Sequence, residues 1–148
     1  ATQLTVNVTL PTDGTYFIRV ENPDGLAARS SSAILTVSDA PTWSTSAGSL
    51  GSVAAGASVS FSVSASSDST VAYSETTSVL TSNTDTPAST MNLSLNSSTG
   101  AITGTAPSST SETTYNFTLR ATDAESQTAD RAFSITVTVT MNNSGQFN

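Results

Sequence analysis

The sequence contains no cysteine, no histidine and no lysine, and its only basic side chains are four arginines. Without these groups the chain cannot build a Ser-His-Asp triad, a Cys-His pair, a Ser-Lys dyad, a Schiff base or a P-loop lysine. Zinc, haem and iron–sulfur sites are excluded as well, because their ligands are imidazole and thiolate groups. We therefore expect a protein that is not an enzyme, and calcium-like metals with oxygen ligands are the metal class that remains.

Positive charge is scarce throughout the sequence. The formal net charge is −7 at pH 7, and four arginines cannot supply the phosphate contacts that dominate nucleic-acid affinity. The sequence also contains no apolar run of the 18 or so residues that a membrane-spanning helix needs. We therefore expect neither nucleic acid nor a membrane as a partner.

Serine and threonine dominate what is present, with 28 serines and 27 threonines among 148 residues. Along most of the chain the apolar residues recur at every second position, which is the period of a strand with one buried and one solvated face. A disordered low-complexity tract would not keep this register. The alternation predicts an all-β chain, and the Ser/Thr-rich, lysine-free surface suits the exterior of a particle or a cell.

A domain boundary is predicted near residue 40. Pro41 interrupts the alternation there, because proline cannot donate a hydrogen bond to a strand ladder. The boundary divides the chain into a first segment, 1–39, a second segment, 40–140, and a tail, 141–148. We expect residues 41–140 to fold independently of the first segment.

Trp43 is the only tryptophan and follows the linker proline directly. We expect its indole to pack over the end of the second segment and, together with Pro41, to fix the angle between the domains. The alternative is a role in sugar stacking or partner binding, since tryptophan is enriched at the centres of interfaces.

The first segment is predicted to contain three strands, 4–10, 16–20 and 33–37. The first two would form a hairpin through the turn residues 11–14. Three strands in about 40 residues cannot close a sandwich or bury a core alone. We therefore expect 1–39 to be the C-terminal part of a larger Ig-like domain. Its apolar rows would be covered by earlier strands of the same gene product or by a neighbouring subunit.

The second segment has about seven predicted strands in roughly 100 residues, which is typical of a β-sandwich. These strands are 50–53, 59–65, 71–73, 93–95, 102–104, 115–121 and 133–139. The stretch 74–90 lacks the alternation and is expected to hold a long loop or an irregular edge strand.

Specific motifs in both segments resemble known families. The sequence GTYFIRVENPDG at 14–25 resembles the closing hairpin of IPT/TIG Ig-like domains, in which a final strand such as 33–37 follows. Residues 40–140 resemble a He-PIG, cadherin-like Ig repeat through LSLNSSTGAITGT at 93–105 and YNFTLRATD at 115–123. The resemblance implies an Ig/cadherin-like antiparallel β-sandwich preceded by a partial IPT/TIG-like domain, and it implies no catalytic residues.

Tandem modules of these two kinds, rich in serine and threonine and poor in lysine, resemble virion structural proteins of tailed phages. The resemblance implies an exterior structural protein on the virion surface, such as a capsid decoration protein, head fibre or tail appendage. Its implied partners are other virion subunits, further copies of itself and a host-surface glycan. The alternative is a repeat module of a bacterial surface adhesin or extracellular filament, at the cell surface or secreted. A calcium-dependent or sugar-binding module of a secreted enzyme is a third possibility.

Carboxylates that could bind calcium are few. Asp123, Glu125 and Asp130 lie on the loop predicted between the last two strands, and Asp39 lies at the linker, where cadherins collect carboxylates for calcium. The sequence has neither the LDRE motif nor the DxNDN linker of cadherins. We therefore expect no metal and no other cofactor, with calcium at these four carboxylates as the alternative. A glycosidase-like carboxylate pair is a more remote alternative.

Overall fold

The computed structural model describes residues 5–10, 13–82 and 90–139. The described residues contain no helix, and hence none that could cross a membrane. The chain divides into two compact units, 1–39 and 40–148. The all-β fold class is confirmed, whereas the predicted tail lies outside the described residues.

The first unit is built from one long β-hairpin. Its strands are β1 (Gly14–Tyr16), β2 (Arg19–Glu21), β3 (Ala27–Arg29) and β4 (Leu35–Val37). β2 pairs with β3, and β1 pairs with β4, both antiparallel. The turn between β2 and β3 is closed by the amide of Gly25, which donates to the carbonyl of Asn22 over 2.9 Å.

The predicted pairing of the first unit is wrong. Residues 5–10 form no strand, and the remainder of the predicted first hairpin, Leu4 and 11–12, lies outside the described residues. A strand needs a partner for its backbone N–H and C=O groups. The turn-forming residues 22–25 bring 27–29 beside β2, so the strands at 14–21 pair with the chain that follows them.

The second unit contains nine strands in its described residues. They are β5 (Thr42–Trp43), β6 (Gly48–Ala54), β7 (Ser58–Ser62), β8 (Ala65–Ser66), β9 (Ala72–Glu75), β10 (Ser94–Leu95), β11 (Ala101–Thr105), β12 (Thr113–Thr122) and β13 (Thr128–Thr138). One sheet has the order β6-β13-β12-β9, in which only the β6–β13 pair is parallel. The other has the order β10-β11-β7, and β8, just beyond β7, pairs with β5. The predicted Ig/cadherin-like β-sandwich is confirmed.

The core of the second unit follows from the alternation of its longest strands. Every second residue is buried from Tyr115 to Ala121 on β12 and from Phe133 to Val137 on β13, and the residues between them are threonine, serine, asparagine or arginine. Burying one large apolar side chain contributes about 1.5–3 kcal/mol, so these two strands supply much of the driving force. The largest fully buried side chains are Phe117, Phe133, Leu80, Met91, Ile102, Leu119, Ile135 and Val137.

Within the stretch without alternation, the described residues 77–81 fold around the carboxylate of Glu75, at the end of β9. Oε1 accepts hydrogen bonds from the amides of Val79 (2.6 Å) and Leu80 (2.8 Å) and from the hydroxyl of Thr77 (2.9 Å). Oε2 accepts from the amide (2.9 Å) and the hydroxyl (2.8 Å) of Thr81. One charged side chain thus orders residues 77–81, which place Leu80 in the core.

Candidate functional site

Two loops at one end of the second unit bring three carboxylates together. One carboxylate oxygen each from Asp68, Asp123 and Glu125 lies within 4.8 Å of the other two; we call these three side chains the acidic cluster. The pairing of Thr122 with Ala72 explains the proximity. It sets the loop that precedes β9, residues 67–71, beside the loop that follows β12.

Asp123 opens the tight turn between β12 and β13. Its amide donates to the carbonyl of Gln127 (3.0 Å), and the amide of Gln127 donates to its Oδ1 (2.7 Å). The residue is only 6% exposed, and its Oδ2 is buried without a hydrogen-bond partner. Most buried polar atoms in proteins have such a partner, so this oxygen is the unusual feature of the site.

Ser69 connects the two loops. Its hydroxyl donates to Oε2 of Glu125 over 2.6 Å and accepts a hydrogen bond from the amide of Ala124 over 3.1 Å. In the same loop, the hydroxyl of Ser67 donates to Oδ1 of Asp68 over 2.9 Å. The exposed carboxylates of the cluster are therefore held by serine hydroxyls of the 67–71 loop.

Two of the four carboxylates expected from sequence, Asp123 and Glu125, belong to the cluster. Asp68 was missed, because strand alternation does not show which loops become neighbours; its place in a turn-forming run, 66–70, was the available signal. Asp39 is the last residue of the first unit and is not among the three cluster residues.

Asp130 lies on β13 and not on the loop where the sequence placed it. It is the direct cross-strand partner of Arg120 on β12. The guanidinium donates from Nε to Oδ1 (2.7 Å) and from Nη2 to Oδ2 (2.8 Å). The hydrogen bonds from Arg120 lower the pKa of Asp130, although slight burial opposes them. Asp130 therefore serves as one half of a surface ion pair.

Trp43 is a core residue of the second unit. Its ring packs edge-on against Phe133, with centroids 5.3 Å apart, and tilted against Tyr73 at 5.8 Å. Its Nε1 donates to the carbonyl of Ala129 over 3.0 Å. With 7% of the residue exposed, the indole offers little surface for sugar stacking. Pro41 is also buried, and the expectation that the two residues fix an interdomain angle stays a prediction.

The fold of the second unit defines an Ig/cadherin-like sandwich module. A structure of protocadherin gamma B2 extracellular cadherin domains 1–5 is similar, with a TM-score of 0.51 and 17% identity, covering 88% of this chain and 32% of that one. Protocadherin gamma B7 extracellular cadherin domains 1–4 give a TM-score of 0.45 and 15% identity, with 86% and 40% covered. The chain thus spans less than half of either structure, and a likeness at this identity concerns the fold alone.

The sequence of the second unit identifies the family. Residues 40–138, two thirds of the chain, match the family described as "Putative Ig domain" (He_PIG). The chain therefore belongs to this family of Ig-like domains. Domains of this type are typical of extracellular or surface-exposed structural and adhesion modules, and they are typically not enzymes. The search of curated proteins found no match.

Proposed function

We propose that this chain is part of an exterior structural protein of a phage particle, such as a capsid decoration protein, a head fibre or a tail appendage, and that it aids adhesion to the host surface. The observation that carries the proposal is the contrast between a closed sandwich and a neighbouring unit with exposed apolar side chains. A component of this kind is suited to assembly with other subunits.

The exposed large apolar side chains are concentrated in the first unit. Within the described ranges they are Val6, Val8, Phe17, Ile18, Val20, Leu26, Ile34 and Leu35. Single exposed apolar residues are ordinary, but a concentration of them in one small unit is typical of an interaction surface. We interpret this surface as the contact to other virion subunits, to further copies of the chain or to the remainder of the same domain.

The hairpin of the first unit has two unlike faces. Tyr16 lies opposite Leu35 in the ladder, and by alternation Ile18 and Val20 share their face. On the other face the guanidinium of Arg29 stacks over the ring of Phe17 at 3.9 Å. The first face is apolar, whereas the second carries charged side chains together with Phe17 and, by the same alternation, Ile34. An apolar face of this kind is typical of a sheet that packs on that side. This supports the interpretation of 1–39 as the closing part of an IPT/TIG-like domain.

The solvated face of the second unit supports an exterior location. The outward positions of β12 and β13 are mainly hydroxyl-bearing, and the hydroxyls of Thr114 and Thr136 lie 3.0 Å apart across the pair. A surface of this kind, with no lysine and a net charge of −7, stays solvated and does not attract nucleic acid. The same surface also fits a module of a bacterial adhesin or extracellular filament, which is the second candidate.

The two candidates differ in where the chain is found. A culture that produces the protein can be separated into virus particles, cell envelopes and medium, and the chain quantified in each fraction by mass spectrometry. We expect it in the particles, in many copies per particle, and labelled on their exterior by antibody in electron micrographs. Recovery with cell envelopes of cells that release no particles would contradict the phage assignment and favour the adhesin.

A further inference from the structure

We propose that the acidic cluster binds a calcium ion, which joins the loop before β9 to the loop after β12. The proposal does not depend on the phage assignment, because it concerns one end of the second unit only. It departs from the sequence expectation of no metal, and it replaces the four carboxylates considered there with Asp68, Asp123 and Glu125.

The spacing of the three carboxylates fits a single ion. Calcium binds carboxylate oxygens at about 2.3–2.6 Å, so two oxygens on one ion can be at most about 5 Å apart. The three oxygens of the cluster lie within 4.8 Å of one another. One ion can therefore reach all three with small side-chain adjustments, and water can complete the six to eight ligands that calcium takes.

The buried oxygen of Asp123 is a second and independent observation. The amide of Gln127 already occupies Oδ1, and Oδ2 has no hydrogen-bond partner although the residue is 94% buried. A buried carboxylate oxygen without a donor destabilises the fold, because it has lost its hydrogen bonds to water and makes no other hydrogen bond in their place. A cation bound by the carboxylate of Asp123 would compensate this loss.

The chemistry of the donors selects the metal. All three donors are carboxylate oxygens, which favour hard cations, and a chain without histidine or cysteine cannot offer the ligands that zinc or copper prefer. Magnesium requires near-ideal octahedral geometry at about 2.0–2.1 Å and gives up its water reluctantly. Ligands from two separate loops, one buried and two exposed, suit the larger and more adaptable calcium ion.

The test uses the full chain freed of metal with a chelator. Calcium is then titrated, with binding followed by calorimetry and stability by thermal unfolding of the second unit. We expect binding in the range of about 10⁻⁴–10⁻³ M, which is typical of extracellular modules, and a melting temperature about 5 °C or more higher at saturation. Magnesium at the same concentration should raise it less.

Variants separate a calcium site from a general effect of salt. Asp68→Asn, at an exposed position, and Asp123→Asn should both abolish the calcium-dependent rise. Without calcium, Asp123→Asn should melt at the same or a higher temperature than the parent chain, because it removes one of three neighbouring negative charges. The matched control is Glu112→Gln, an exposed loop residue, which should retain the full rise. The proposal is overturned if calcium leaves the parent chain unchanged, or if Asp68→Asn responds as the parent chain does.

Discussion

Glu75 shows how one side chain can order a loop that has no regular structure. Burial raises its pKa, but hydrogen bonds from the amides of Leu80, Thr81 and Val79 and from the hydroxyl of Thr81 outweigh burial, so the pKa lies below the ordinary value of 4.5. These donors bind the ionised carboxylate more strongly than the protonated carboxyl group. Ionisation of Glu75 and folding of the second unit are therefore coupled.

The first prediction concerns this coupling. Glu75→Gln should lower the free energy of unfolding at pH 7 by about 2 kcal/mol, the size expected for hydrogen bonds to a charged group. Because the folded-state pKa is lowered, the contribution is fully present above pH 4.5 and is lost as the pH falls through the folded-state pKa. Urea unfolding measured from pH 7 to 3 should show that the free energies of unfolding of the parent chain and of Glu75→Gln become equal in acid. Glu112→Gln is the control, and a difference that persists unchanged at pH 3 would contradict the explanation.

Gly100 illustrates a second constraint at the scale of one residue. It closes the turn between β10 and β11 with φ +69°, and a Cβ there would overlap the backbone carbonyl oxygen of Val63. Gly56 has a similar φ of +72° but open space around it. Substitutions at Gly56 and Gly100 therefore separate the free-energy cost of a left-handed backbone conformation from the cost of a steric overlap.

We predict that Gly56→Ala costs about 1 kcal/mol, since a left-handed conformation is unfavourable for alanine. Gly100→Ala should cost about 3 kcal/mol or more, because the overlap with Val63 adds to the same backbone term. Chemical denaturation of the two variants measures the difference. Equal losses of unfolding free energy in the two variants would contradict this, because they would show that the backbone near Val63 shifts at little cost.

At the scale of elements, the sequence predicts strands well where a long alternating row decides their pairing. The rows on β12 and β13 bury Phe117 and Phe133 as expected, because burial on one face fixes the register. The pairing of the short strands in the first unit was predicted wrongly, because turn geometry and not burial decides which strands become partners. Asp68 was missed for a related reason: the register of β9 on β12 is a long-range property that no local pattern contains.

The two-residue strand β5 should depend on Trp43. The indole provides aromatic packing against Phe133 and Tyr73 and a hydrogen bond to Ala129 on β13. Trp43→Phe keeps an aromatic ring but loses the hydrogen bond to Ala129, and should lower the free energy of unfolding by about 1–2 kcal/mol. Trp43→Ala loses both and should cost about 3–5 kcal/mol. Unfolding measurements on the series would refute this account if phenylalanine were as damaging as alanine.

At the scale of the whole molecule, the two units differ in how completely they bury their apolar residues. The second unit has a continuous core that includes Trp43, Ile102 and Phe133, all less than 8% exposed. In the first unit Leu26 is 70% exposed and Ile34 57% exposed. Since burial of apolar surface is the main driving force of folding, and the buried core among the described residues lies in the second unit, we expect the second unit to be stable by itself.

The last prediction follows from this difference. A fragment comprising 40–148 should fold alone, and hydrogen exchange of 40–139 should be the same in the fragment and in the full chain. In the monomeric 148-residue chain, residues 1–39 should exchange much faster, because few of their backbone hydrogen bonds are shielded by a core. A rise in their protection with protein concentration would identify further copies of the chain as the covering surface. If 1–39 are as well protected as the second unit in the dilute monomer, the interpretation of this unit as part of a larger domain is wrong, since the hairpin then needs no added surface.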